Sequence, residues 1–122
     1  MKFLCLAYEE EKKLSELSHA EWTALRAETL AYVDALQKAG QLVLTNALQS
    51  ARKAVTVRVR AGSPLVHDGP FADTKEQLGG FFLIEAKDRE EATRIAAQWP
   101  SARLGTIEVR PVEEELSELR RY

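Results

Sequence analysis

The segment Asp68-Gly69-Pro70-Phe71-Ala72-Asp73-Thr74-Lys75-Glu76-Gln77-Leu78-Gly79-Gly80-Phe81 concentrates groups that can do chemistry. Three carboxylates (Asp68, Asp73, Glu76), one ammonium (Lys75), one hydroxyl (Thr74) and one amide (Gln77) lie among aromatic Phe71 and Phe81, with Gly-Pro and Gly-Gly as breakers. A polar loop set between strands is where binding and catalytic groups concentrate. Asp68 is the candidate acid/base or anchoring carboxylate, because a carboxyl flanked by apolar rings gains a raised pKa and becomes an effective proton carrier. The bland reading is equally available: before a Gly-Pro turn, Asp68 can instead cap loop amides as an Asx turn. Lys75 can contact an anion, or form a solvated pair with Glu76 and Asp73. Thr74 and Gln77 line the pocket or tie the loop to itself. Gly79 and Gly80 mark a bulge or a close backbone approach, which makes room for a ligand at Gly80 beside the Phe71 and Phe81 walls. Tyr8 completes the candidate ligand set from the end of the first strand. His67 alternates with Asp68 across a strand, so the two do not form a dyad within one chain.

Several chemistries are disfavoured by what is absent. The single cysteine, Cys5, and two histidines, His19 and His67, have no zinc-ligand spacing, so neither a metal nor a cofactor is expected. There is no P-loop, G-x-S-x-G or G-x-G-x-x-G motif. A net charge of −2 provides no field for nucleic acid, and no apolar run reaches membrane length. The lone cysteine and the absence of a leader pattern point to the cytoplasm.

The elements that must position the loop follow from periodicity. At 122 residues the chain suits one domain, set at 1–112 with a charged tail at 113–122. Lys2 to Tyr8 alternates Phe3, Cys5, Ala7 with Leu4, Leu6, Tyr8, a strand apolar on both faces. Cys5 is therefore buried and inert. Ser18 to Glu21 reads as a capping box that starts a helix at about 19–39, with Gly40 as its left-handed stop. Its core stripe is Trp22, Leu25, Thr29, Tyr32, Val33 and Leu36. Leu42 to Gln49 is a strand, and Ala54 to Ala61 pairs with Leu65 to Asp68 as a hairpin carrying Arg58 and Arg60 on a wet face. Phe81 to Ile84 is a second strand apolar on both faces. Asp88 caps a helix with Ala92, Ile95, Ala96 and Trp99 on one side, and Thr106 to Arg110 is the last strand. The order predicts an α+β ferredoxin-like split βαβ sandwich with an inserted β-hairpin. Two helices cover only one sheet face, so a homodimer with its sheets face to face is expected, forming a dimeric α/β barrel.

DGPFADTKEQLGGFF resembles the signature of the DGPFAETKE branch of the YCII-related family. MKFLCLAY at the start, TNALQS at 45–50 and IEVRPV at 107–112 match the same family in order. The resemblance implies a bacterial protein of the dimeric α/β-barrel fold, often encoded beside extracytoplasmic-function sigma factors, with no established reaction for this branch. Relatives are proposed to pair an Asp at the Asp68 position with a helix histidine, which here falls near Thr29, and Phe82 stands where Tyr is frequent. Two functions are therefore expected as alternatives. One is a binder or enzyme for a small organic acid or other anion, with its pocket beneath residues 68–80. The other is a non-catalytic dimeric accessory or regulatory protein.

Overall fold

The structure, a computed structural model, is described for residues 1–115. The tail expected at 113–122 lies outside these residues from 116 onward, and Glu113 to Glu115 carry no regular structure.

The chain runs β1 (Lys2–Glu9), α1 (Glu11–Ser15), α2 (His19–Lys38), β2 (Leu42–Ala47), β3 (Val55–Arg60), β4 (Ser63–Asp68), β5 (Gln77–Glu85), α3 (Arg89–Ala97) and β6 (Thr106–Pro111), with short 3-10 turns at Ala51–Lys53 and Pro100–Arg103. Four strands form one antiparallel sheet ordered β2-β5-β1-β6. This is the ferredoxin-like order. It puts at the centre the two strands whose apolar residues alternate on both faces.

The helices cover one face of the sheet. Phe3, Cys5, Phe82, Ile84, Leu36, Ala92, Ile95, Ala96 and Trp99 form the buried core there. Phe82 and Trp99 stack with centroids 3.9 Å apart and ring planes within 9°, and Tyr32 meets Trp99 edge-on at 6.0 Å. The opposite face, with Leu4, Leu6, Phe81 and Leu83 in register at its centre, has no layer over it among the described residues. Lys2 with Glu85 and Glu108 with Arg110 give that face a charged rim.

Helix α2 starts where expected. The Ser18 hydroxyl accepts from the Glu21 N–H at 3.1 Å, and the Glu21 carboxylate accepts from the Ser18 N–H at 2.9 Å. That hydrogen bonding holds the Glu21 carboxyl below its ordinary range. Gly40 ends the helix at φ +71°. The core stripe of α2, however, closes on the sheet only at its C-terminal end. Leu36 is its one buried residue, and Trp22, expected in the core, remains 47% exposed. A polar run over Glu9 to Lys13 disguised α1, whose amphipathic signal is too short to register.

The hairpin β3–β4 forms a separate two-stranded sheet. Its turn residues are Ala61 and Gly62, both with positive φ, not the Gly62-Ser63-Pro64 expected from Gly and Pro. Consecutive left-handed residues match the strand twist, so the pair closes as a two-residue turn and leaves Pro64 inside β4. Gly79 is the bulged residue of β5: Ala7 pairs with Gly80 and Tyr8 pairs with Leu78.

Candidate functional site

Among the described residues, one cavity lies on each face of the sheet. The first, about 450 Å³, lies between the N-terminal half of α2 and the sheet. Trp22, Leu25, Leu30, Val33, Phe82 and Trp99 wall it, because α2 diverges from the strands before Leu36 anchors it. Glu9 supplies its charged inner group and Arg26 its cation.

The position of Glu9 follows from strand parity: it shares its face with Phe3, Cys5 and Ala7, the residues buried under the helices. The bulge at Gly79 makes space for it, since a Cβ at Gly79 would overlap the Glu9 carboxylate. Burial pushes the Glu9 carboxyl above its ordinary pKa, and the neighbouring Glu11 charge pushes the same way. Glu11 is engaged elsewhere, accepting from the Ala51 N–H at 2.7 Å and the Ser50 hydroxyl at 3.0 Å. Among the described residues no hydrogen bond reaches the Glu9 carboxylate, whose oxygens keep contact with solvent. The nearby hydroxyls are already committed to backbone: Thr29 donates to the Leu25 carbonyl at 2.8 Å and Thr45 to the Phe81 carbonyl at 2.9 Å. The cavity therefore offers aromatic walls and a single half-buried carboxyl able to donate or accept a proton.

The second cavity, about 640 Å³, lies beneath the 70–78 segment at the end of the uncovered face. Tyr8, Phe71, Thr74 and Gln77 from the expected ligand set line it, together with Leu48, Pro70 and Leu78. Gly80 and Phe81 line the first cavity instead. Asp68 and Lys75 line neither. Asp68 ends the exposed hairpin opposite Val55, with His67 beside it opposite Thr56. The loop ties itself together: the Thr74 hydroxyl donates to the Glu76 carbonyl, and the Gln77 amide donates to the Thr74 carbonyl, both at 2.6 Å. Arg58 sits 5.4 Å over the Phe71 ring.

Sequence reasoning missed Glu9, Trp22 and Arg26 as site residues. The signal for Glu9 was present as an acidic residue on the buried parity of a two-faced strand, but it stood at the head of a polar run. Among the described residues no group of His, Cys, Asp and Glu is placed to hold a metal ion. No described helix is long and apolar enough to cross a membrane.

A family model for the YCII-related domain matches residues 1–116. The chain belongs to the YCII-related family. An uncharacterized protein of Rhizobium meliloti (strain 1021) is 36% identical over 114 residues, covering 92% of each chain. Among solved structures, this YCII-related chain resembles the 5-chloro-2-hydroxyhydroquinone dehydrochlorinase of Burkholderia phenoliruptrix AC1100, solved in complex with 2,5-dihydroxybenzoquinone. The TM-score is 0.58 at 18% identity, over 94% of this chain and 96% of the other. That likeness establishes the shared ferredoxin-like fold.

Proposed function

We propose that this YCII-related chain binds a small, flat, mainly apolar organic molecule between α2 and the sheet, with Glu9 as its proton donor or acceptor. The observation that carries the reading is the Glu9 carboxyl, half-buried, without a protein hydrogen bond and raised in pKa against the walls formed by Trp22 and the Phe82–Trp99 stack. Such a carboxyl is tuned toward neutral pH, where general acid and general base work is most efficient. Arg26 favours a ligand with an anionic or strongly polar oxygen at the mouth. The ring-shaped, oxygen-rich ligand of the structurally similar dehydrochlorinase has the size and chemistry this cavity suits.

The functional unit in this reading is a homodimer in which two copies bury their uncovered sheet faces against each other about a twofold axis. An apolar centre of Leu4, Leu6, Phe81 and Leu83 inside a charged rim has the make-up of an interface. A second reading, favoured by Tyr8, Phe71, Thr74 and Gln77 meeting in one cavity, puts a small organic acid or other anion beneath the 68–80 loop, with Asp68, outside the cavity's lining, as its acid/base or anchoring carboxylate.

A thermal-shift screen of phenols, quinones and aromatic acids separates the two. It compares wild type with Glu9→Gln and Asp68→Asn, since a ligand selective for the native state raises stability by RT ln(1 + [L]/Kd). Binding that weakens in Glu9→Gln and persists in Asp68→Asn is the expected result. The reverse pattern transfers the site to the loop. No shift with any compound removes the ligand reading and favours a non-catalytic dimeric accessory protein.

A further inference from the structure

The cavity beneath the 70–78 segment differs in chemistry from the one that holds Glu9. Leu48, Ala54, Pro70, Phe71 and Leu78 give it apolar walls, and no described carboxylate lines it. Tyr8 and Lys53 are the titratable side chains of its described lining. The hydroxyls of Ser50 and Thr74 and the amide nitrogen of Gln77 are already committed, to Glu11, to the Glu76 carbonyl and to the Thr74 carbonyl. Lys53 and Tyr8 keep donors to spare. The Lys53 ammonium donates to the Gln49 Oε1 at 3.1 Å. Among the described residues it has no carboxylate partner, and the Tyr8 hydroxyl has no hydrogen bond.

The walls are also held in place without a ligand. The Gly69 N–H donates to the Ala54 carbonyl at 2.7 Å and the Thr56 hydroxyl to the Gly69 carbonyl at 2.8 Å, so the Pro70–Phe71 wall is fixed against the residue that follows Lys53. From the other side, Glu11 fastens the turn that carries Lys53 by accepting from the Ala51 N–H and the Ser50 hydroxyl. Phe71 remains 76% exposed, with the Arg58 guanidinium over its ring as a further cation. A preformed apolar cavity with a few convergent donors is the make-up of a small-molecule site.

We infer that this cavity is a binding site for an amphipathic organic anion, with its apolar body against Leu48, Phe71 and Leu78 and its oxyanion on the Lys53 ammonium and the Tyr8 hydroxyl. The location and the anionic class rest on the second reading above; the anchor is Lys53 in place of Asp68, which lies outside the lining and carries the wrong charge for an anion. Tyr8 and Glu9 are neighbours on β1 and face opposite sides of the sheet, so a ligand here leaves the Glu9 cavity free.

The test uses anilinonaphthalenesulfonate, an aromatic anion, and its uncharged counterpart phenylnaphthylamine. Fluorescence titrations compare wild type, Lys53→Met, Tyr8→Phe and Asp68→Asn, and amide chemical shifts locate the bound sulfonate. Lys53 is exposed, so its replacement leaves the fold intact, which far-UV circular dichroism checks. The sulfonate should move the amides of Tyr8, Phe71 and Leu78. Lys53→Met should weaken it about fivefold or more, the order of one charge-assisted hydrogen bond, and leave the neutral compound within about twofold. Tyr8→Phe should weaken the sulfonate in the same direction, and Asp68→Asn should leave it unchanged. Sulfonate binding that moves those amides but is indifferent to Lys53→Met, or equal loss of both compounds in that variant, overturns the anchor. Loss confined to Asp68→Asn also overturns it and leaves the second reading standing. Shift changes confined to the Glu9 cavity, or no binding of either compound, overturn both.

Discussion

Replacing Gly79 or Gly105 with alanine adds the same methyl group to two backbones of ordinary φ, yet the outcomes should differ sharply. At Gly79 the nearest atoms the new Cβ meets are the carboxyl group and Cγ of Glu9, a flexible side chain that can rotate away. At Gly105 it meets the Tyr8 carbonyl oxygen and the Glu9 Cα, which are fixed by the pairing of β1 with β6. For Gly79→Ala, the reduced entropy of the unfolded chain favours folding by about 0.4–1 kcal/mol, offset by the displaced carboxyl, so stability should stay within about 1 kcal/mol of wild type. For Gly105→Ala, overpacking against an unyielding backbone costs about 1–3 kcal/mol or more. At roughly 4 °C per kcal/mol for a domain of this size, Gly105→Ala should lower Tm by about 4–12 °C and Gly79→Ala should barely move it. The second readout is the Glu9 carboxyl carbon followed by NMR through a pH titration. In wild type it titrates above the ordinary glutamate range, and in Gly79→Ala it returns toward that range as the group swings into solvent. Equal destabilisation by the two alanines, or an unmoved Glu9 titration in Gly79→Ala, would refute the placement of Glu9 in the cavity.

Glu9→Gln should stabilise the protein at neutral pH and not under acid conditions. The folded-state pKa of Glu9 lies above its unfolded value, so the penalty for burying the carboxylate is absent below the unfolded pKa and grows as pH rises through the folded one. Urea unfolding of both proteins at a series of pH values checks this, and a constant difference across the series would contradict it. Cys5, whose thiol burial pushes up to about 12, should resist a thiol reagent at pH 8 until the protein unfolds. Prompt labelling of native protein would contradict its core position. Phe82→Ala should cost about 3–5 kcal/mol by removing one ring of the stack with Trp99 and leaving a hole beside the cavity. Chemical denaturation measures that cost, and a loss below about 1 kcal/mol would show that the stack is not formed.

Much of the architecture was legible in local patterns. Two-faced apolar alternation identified β1 and β5 as central strands, because only a strand covered on both sides keeps apolar residues on both. The Ser18 and Asp88 caps announced α2 and α3, since their side chains satisfy amides within the next turn. Gly79 and Gly80 signalled the bulge and the close approach of β2. The candidate site was less legible. The motif at 68–81 drew the eye to Asp68 by its density of polar groups, yet it divides among an exposed hairpin end, a self-bonded loop and one strand of the sheet. Trp22 has the spacing of a core residue, and periodicity reports which way a side chain points without reporting whether anything meets it.

The amino-acid sequence alone therefore determined the order of the six strands and two long helices, the caps of those helices, the central strands and the family, because these depend on interactions within a few residues or on alternation along one strand. The tertiary structure alone decided that α2 diverges from the sheet, that the resulting gap is walled by Trp22, Phe82 and Trp99, and that Glu9 points into it. Those facts depend on the distance between layers, which is set by long-range packing of Leu36 and α3 and leaves no mark in the local pattern.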